Sequence, residues 1–387
     1  MWWFQSPKIA FGEDALEVLK DLEGKKAFIV TDNTIRSLGY VDIVSNYLKE
    51  AGMDVGVFDG VESEPSTENV MEGAKLVRES APDWIIGLGG GSCMDAAKVM
   101  WVLYERPDIK LEDVSPLVEL GLRKKARLIC IPTTSGTGSE ASWAAVITDK
   151  KELFKMELAS RELYPDLSIV DPKLPVGVPK KVAADTGIDA LVTAVETYVN
   201  QWRNDFSDAL AIKGAQLFFK YFLRAYENEN DKEAREKIHN ASTIAGLAFS
   251  NSQVGVAHAM GHSFGAVFKI PHGRATAVFL PYSIEFGVKE AGERYAEIAK
   301  AIGIEAESVE AAVKKLVDAI RDLMEKIGEP LTVKEMGIKW EDYRQKLDEL
   351  VAKAEMSTCN FVNPRVASSE ELKKLFTYAF DGRTIDF

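Results

Sequence analysis

The sequence predicts an α/β domain built on a mostly parallel sheet, followed by an all-α domain. Three observations carry that prediction. In the first half, short β-branched apolar runs alternate with amphipathic stretches, the pattern of a parallel sheet covered by helices on both faces. After about Pro175, strand-like runs become scarce and long amphipathic segments take over. The length, 387 residues, suits two domains at roughly 150 residues each. Asp171-Pro172-Lys173-Leu174-Pro175 is the expected hinge, because prolines restrict both themselves and their predecessors. The expected domains are therefore residues 1–175 and 176–387.

Taken in order, Ala27-Phe28-Ile29-Val30 reads as a strand ending at Thr31-Asp32. Val41, Ile43, Val44 and Leu48 then recur at helical steps until Gly52. Val55-Gly56-Val57-Phe58 is the next strand, and 69–80 the next helix. Trp84-Ile85-Ile86-Gly87-Leu88 is continuously apolar, as expected of a strand buried on both faces. A helix starting at Ser92 and a strand over 127–131 follow. In the second half, helices are expected over 181–202, 206–227, 231–250, 288–302, 306–326 and 340–355.

Composition narrows the function classes. Apolar residues make up 46% and charged residues 28%, the profile of a soluble globular protein. A net charge of −13 argues against a nucleic-acid or anionic-membrane partner, since nothing offsets phosphate repulsion over the whole surface. No apolar run reaches the ~18 residues a membrane helix needs. The N-terminus lacks a basic n-region and reaches Pro7 and Lys8 too early for a signal peptide. Cys93, Cys130 and Cys359 are odd in number and far apart, so neither a disulfide framework nor a zinc knuckle is expected; a reducing cytoplasm is the simplest setting.

Five features carry chemistry. Gly89-Gly90-Gly91-Ser92-Cys93-Met94-Asp95-Ala96-Ala97-Lys98 follows a strand and opens a helix. Its glycines let a ligand approach the backbone, and a helix N-terminus attracts an anion such as pyrophosphate. Ser92 suits the N-cap, with Asp95 completing a capping box. A strand-to-helix turn without a ligand would show the same glycines. Second, Thr133-Thr134-Ser135-Gly136-Thr137-Gly138-Ser139-Glu140 offers hydroxyls to phosphate or ribose. Third, Asp32 ends a strand where nucleotide-binding sheets place an acid against the ribose 2′-OH. An acid there repels a 2′-phosphate and favours NAD over NADP; a plain helix cap would also place Asp there.

Fourth, three of the four histidines fall within fifteen residues: His258 and His262 on one helix face, and His272 in Pro271-His272-Gly273. His239 is isolated and reads as a surface residue. Fifth, Asp189, Thr193 and Glu196 share one face of an otherwise apolar helix. A carboxylate there needs a partner, and a metal held jointly with the histidines supplies one.

These features in this order resemble the iron-containing (group III, iron-activated) alcohol dehydrogenases, over most of the chain from Phe11-Gly12 to Asn363-Pro364-Arg365. The family's GGGSxxDxAK loop is complete at 89–98, its TTxGTGSE loop at 133–140, and its His-x-x-x-His with Pro-His-Gly at 258–273. The resemblance implies a dehydroquinate synthase-like architecture, with an α/β dinucleotide-binding domain and a helical metal and catalytic domain. It implies that Gly89, Gly90, Gly91, Ser92 and Asp95 belong to the pyrophosphate site and that Thr133, Thr134 and Thr137 line the cofactor. Lys155 is expected to approach the nicotinamide ribose, and Asp32 to hold the adenine ribose. His258, His272 and Asp189 are the implied metal ligands, His262 the proton relay, and Phe249 and Cys359 the lining of the substrate pocket. The implied partners are a small, fairly apolar primary alcohol and its aldehyde, and further copies of the chain in a homodimer or higher oligomer.

Two departures matter. The family's helical metal motif is Asp-x-x-x-His, and Thr193 stands where its histidine belongs. The remaining two histidines and a carboxylate suit Fe(II), more loosely Zn(II), while maleylacetate reductases represent a metal-free version of the site. Ser357 stands where relatives often carry Asp. Among competing activities, a dehydroquinate synthase-like lyase needs several cations near the histidines, and 245–275 holds only Lys269 and Arg274. Glycerol-type dehydrogenases share the fold and also compete, as does a non-catalytic nucleotide- or metal-binding protein.

Overall fold

The computed structural model describes residues 3–150 and 154–387; residues 1–2 and 151–153 lie outside the description. The chain forms two compact units. One is Gln5–Gly177; the other is Val178–Phe387 together with the N-terminal segment up to Phe4.

The first unit contains β1 (Lys8–Phe11), β2 (Lys26–Val30), β3 (Asp54–Phe58), β4 (Trp84–Gly89), β5 (Arg127–Pro132), β6 (Ala144–Asp149), β7 (Phe154–Ala159) and β8 (Leu167–Val170). Its α-helices are α1 (Asn33–Ser37), α2 (Tyr40–Glu50), α3 (Thr67–Ser80) and α4 (Gly91–Glu105). Six strands form one sheet in the order β1-β8-β5-β4-β2-β3, every pair parallel. β6 and β7 make a separate antiparallel pair.

Strand periodicity explains why helices cover both faces. Phe28, Val30, Ile85, Leu128 and Cys130 point into one core with Val70, Val77 and Met100 of α3 and α4. Their neighbours Ala27, Ile29, Ile86, Leu88, Ile129 and Ile131 point into the other, with Val41, Val44 and Leu48 of α2. The chain runs from β2 outward to β3, then returns to β4 and continues to β5 on the opposite side. The order therefore reverses between β2 and β4. Ligands of open α/β sheets bind at the carboxyl ends of the strands flanking such a reversal.

The second unit is helical: α5 (Lys180–Val199), α6 (Asp205–Glu227), α7 (Lys232–Ser250), α8 (Val256–Phe268), α9 (His272–Ala277), α10 (Leu280–Ala301), α11 (Val309–Lys326), α12 (Trp340–Glu355), α13 (Thr358–Phe361) and α14 (Ser369–Asp381). Among the described residues, no helix is long and apolar enough to cross a membrane.

The structure departs from the sequence expectations in several places, and beside those that follow it adds the helices α1, α9, α13 and α14. It adds β1, β6, β7 and β8; β1 and β8 are four residues each, too short to show a pattern. α10 begins at Leu280 rather than 288, because Leu280–Ile284, Phe286 and Gly287 are all buried and show no amphipathic period. α4 is preceded by Gly90 as its N-cap, with no side-chain cap, so Ser92 lies inside the first turn and no capping box forms with Asp95. His239 is not on the surface: it is 1% exposed on the inward face of α7, and burial pushes its imidazole down to about 3.

Candidate cofactor loops and metal centre

Within the α/β unit, three loops converge at the reversal of strand order. Asp32 follows β2, Gly89–Gly91 end β4 and open α4, and Thr133 follows β5. The Thr133 N–H donates to the Gly89 carbonyl at 3.0 Å, tying the second and third loops together. A Cβ built on Gly90 would lie 3.6 Å from Thr134 Oγ1, and one on Gly91 2.9 Å from Thr137 Oγ1. Gly91 thus lets Thr137 pack directly against the backbone at the N-terminus of a 15-residue helix whose first N–H groups have no partner within it, while Thr134 makes ordinary contact beside Gly90. Thr133 is 1% exposed, and its hydroxyl has no hydrogen-bond partner among the described residues.

Asp32 does two jobs. Its Oδ1 accepts from Ile35 N at 2.9 Å as the N-cap of α1, and its Oδ2 takes the Cys93 thiol at 3.3 Å. Burial, with that carboxylate beside it, pushes the Cys93 thiol well up. Ser92 Oγ donates to the Ser63 carbonyl, and Lys155 Nζ pairs with Glu64 Oε1 at 3.0 Å. Both residues are therefore held by the same two-residue stretch, Ser63-Glu64.

Asp95 and Lys98 serve the loop that follows β5. Asp95 accepts from Ser139 Oγ at 2.6 Å and Val146 N at 2.9 Å. Lys98 is fully buried, and its ammonium donates to the carbonyls of Ser139, Ser142 and Ala144 and the hydroxyls of Ser139 and Ser142. A buried ammonium is tolerated only when so saturated. These two residues hold the hydroxyl-rich loop against α4.

Within the helical unit, Asp189 of α5, His258 of α8 and His272 at the start of α9 each offer a ligand atom, all within 4.8 Å of one another. Asp189 Oδ1 lies 3.7 Å from His258 Nε2 and 3.5 Å from His272 Nε2, and accepts from Thr276 Oγ1 at 3.0 Å. Burial raises the Asp189 carboxyl, with His258 and Thr276 opposing. Imidazole nitrogens at 3.5–3.7 Å from one carboxylate oxygen are too distant for good hydrogen bonds and spaced to surround an ion. His262 stands beside them, its ring 5.1 Å from that of His272 and 5.7 Å from that of His258.

Thr193 sits one turn beyond Asp189 on α5, 5% exposed. Glu196, a further turn along, carries no signal in the sequence beyond its helix face; its Oε2 lies 2.7 Å from His258 Nδ1. Phe249, on α7, is half-buried against the helical core. Cys359 is buried in α13, which packs on α8. Ser357 gains a role: its hydroxyl caps α13 by accepting from Cys359 N at 3.3 Å. Arg274, one of the two cations near the histidines, is bound to Asp185 at 2.9 Å and Glu329 at 3.0 Å.

Comparison with known proteins matches both units. Residues 6–172 match the family described as iron-containing alcohol dehydrogenase, and residues 183–380 the C-terminal part of the Fe-containing alcohol dehydrogenase family. An NADPH-dependent butanol dehydrogenase of Clostridium saccharobutylicum is 43% identical over 100% of both chains. Aldehyde-alcohol dehydrogenase 2 of Entamoeba histolytica is 38% identical over 98% of this chain, which spans 46% of that longer protein. Among solved structures, a 1,3-propanediol oxidoreductase superposes with a TM-score of 0.93 at 32% identity, over 98% of this chain and 100% of that one.

Proposed function

The chain belongs to the iron-containing alcohol dehydrogenase family, whose members are NAD(P)(H)-dependent alcohol and aldehyde oxidoreductases, and from that premise we propose that it interconverts a small, fairly apolar primary alcohol and its aldehyde. The cofactor loops of the α/β unit take the dinucleotide, and Asp189, His258 and His272 hold a divalent metal, Fe(II) before Zn(II). The observation that carries the reading is the three-donor group with a fourth imidazole, His262, beside it.

The donor set fits such an ion: two imidazoles and one carboxylate suit Fe(II) or Zn(II), leave positions open, and give the buried Asp189 carboxylate a counter-charge. When bound, the metal supplies Lewis acidity toward a substrate oxygen and the nicotinamide supplies or accepts hydride. The chain's own residues do the rest. Gly90, Gly91 and the α4 N-terminus receive the pyrophosphate, with Thr134 and Thr137 lining the cofactor. His262 moves a proton between the substrate oxygen and solvent, a task suited to an imidazole.

The substrate class follows from the scarcity of cations. Arg274 is engaged by two carboxylates, and Lys269 is an exposed helix-terminal residue. Within 245–275 no further cation is offered to a phosphorylated sugar acid, which supports an alcohol over a lyase substrate. For the cofactor, Asp32 supports NAD, whereas the butanol dehydrogenase relative is NADPH-dependent by name. The reading also includes a homodimer or higher assembly and a cytoplasmic setting, the latter supported by three buried, unbridged thiols.

The test is elemental analysis of protein produced with iron, read beside aldehyde-dependent oxidation of NADH and NADPH before and after chelation. Activity with short aliphatic aldehydes that falls on chelation and returns with Fe(II) is the expected result. No oxidation of either cofactor with an aldehyde panel would overturn the reading.

A further inference from the structure

We propose that Glu196 is a positioning residue that sets the tautomer of His258, and so fixes which ring nitrogen is presented to Asp189 and His272. The metal consequence rests on the reading above; the tautomer assignment does not.

The first turn of α8 has no side-chain cap of its own, because its N-cap is Gly255. Its N–H groups are satisfied from elsewhere. Glu196 accepts from Gly255 N at 2.9 Å, Ala257 N at 2.6 Å and His258 N at 3.3 Å, while Asn363 Oδ1 takes Val256 N at 3.1 Å. Gly255 makes this possible, since a Cβ there would stand 2.5 Å from Asn363 Oδ1 and 2.9 Å from Glu196 Oε1. A carboxyl 2% exposed at a helix N-terminus, with both oxygens facing backbone N–H donors, is placed as an acceptor.

That environment dictates the imidazole. Glu196 Oε2 lies 2.7 Å from His258 Nδ1, and an oxygen that already accepts from the Gly255 and His258 N–H groups is placed to accept from the ring as well. Nδ1 must therefore carry the hydrogen. In the neutral ring the lone pair then sits on Nε2, the nitrogen 3.7 Å from Asp189 Oδ1. Both Glu196 oxygens are occupied, with Ser283 Oγ at 3.4 Å completing the set, so Glu196 is not a ligand although it shares a helix face with Asp189. An outer carboxylate of this kind typically changes metal affinity 10–100-fold.

The experiment uses the full chain, freed of metal by chelation and labelled with ¹⁵N-histidine. Two-bond ¹H–¹⁵N spectra near pH 8 read each tautomer. Parent His258 is expected as the Nδ1–H form; an Nε2–H form in the parent overturns the proposal before any variant is made. Glu196→Ala, which removes both acceptor oxygens, should raise the Nε2–H population and weaken divalent-metal binding by on the order of 10–100-fold in chelator competition. Asn363→Ala removes a cap from the same helix end without touching Nδ1, and should leave the tautomer as in the parent. Equal tautomer shifts in both variants, or none in Glu196→Ala, would mean that Glu196 is only a helix cap. If the parent binds no metal but the tautomer shift appears, the metal reading falls and the positioning role stands.

Discussion

Gly273 sets how closely α9 lies on α5, and Gly273→Ala tests whether that closeness assembles the donor group. A Cβ at this position would stand 1.8 Å from the Asp185 carbonyl oxygen and 3.1 Å from Asp189 Cβ. Moving it from 1.8 Å to the 3.4 Å at which ordinary contact begins requires about 1.6 Å. The nearest obstacle is backbone, so a rotamer change cannot relieve the clash and α9 must shift. Next to His272, such a shift exceeds the ~0.2 Å latitude of metal–ligand distances several-fold. Overpacking of this kind costs on the order of 1–3 kcal/mol, with roughly 2–4 °C of Tm lost per kcal/mol in units of this size. The assay pairs thermal unfolding of the metal-free protein with Fe(II) and Zn(II) titration against a chromophoric chelator. A lower Tm and affinity weaker by on the order of tenfold or more are expected. Unchanged Tm and unchanged affinity together would refute the packing argument. A lowered Tm with parental affinity would show that the donors tolerate the displacement.

Three further outcomes are expected. Thr193→His places an imidazole one turn from Asp189 and should tighten metal retention; equal stripping of variant and parent by a chelator would remove Thr193 from the ligand position. His262→Ala should retain the metal yet lose on the order of 10²–10⁴ in turnover, and near-full turnover across pH would end its role in proton transfer. Burial pushes the Glu329 carboxyl up from its ordinary 4.5 to about 7, with Arg274 opposing. The folded state then keeps a proton that the unfolded chain releases earlier, so this contribution to stability is present below about pH 4.5 and lost as pH rises toward 7. Tm should decline across that window and Glu329→Gln should flatten the decline; identical slopes in variant and parent would contradict the assignment.

What is legible in the chain and what is not divides by sequence separation. The loop at 89–91 is legible because strand, glycines and helix are consecutive, and the His258, His262 and His272 group because histidine is scarce. Glu196 is visible as a polar residue on an apolar helix, but its partner lies 62 residues away and only folding joins them. β1 pairs with β8 across most of the α/β unit, a contact with no local signature. Asp95 misleads for a related reason. Three residues after Ser92 it has the spacing of a capping box, yet it binds Ser139 and Val146, and that long-range pair prevails over the local one.

Asp95 also illustrates how charged residues behave inside a ligand-binding motif. Asp95, Lys98 and Glu196 all belong to segments that point to a ligand, and each is largely or fully saturated by the chain itself. Saturation is what burial demands of a charge, and a saturated charge has little left for a guest. The groups left for the cofactor are then backbone N–H groups and hydroxyls, which approach closely at low desolvation cost. Asp189 differs from the other three. It is 2% exposed, takes one hydrogen bond from Thr276, and faces two imidazoles at 3.5–3.7 Å, beyond good hydrogen bonding. Of these four charges it is the one whose surroundings ask for a cation, which is why the metal reading rests on Asp189 and the two rings around it, and why an acidic helix face alone would not have supported it.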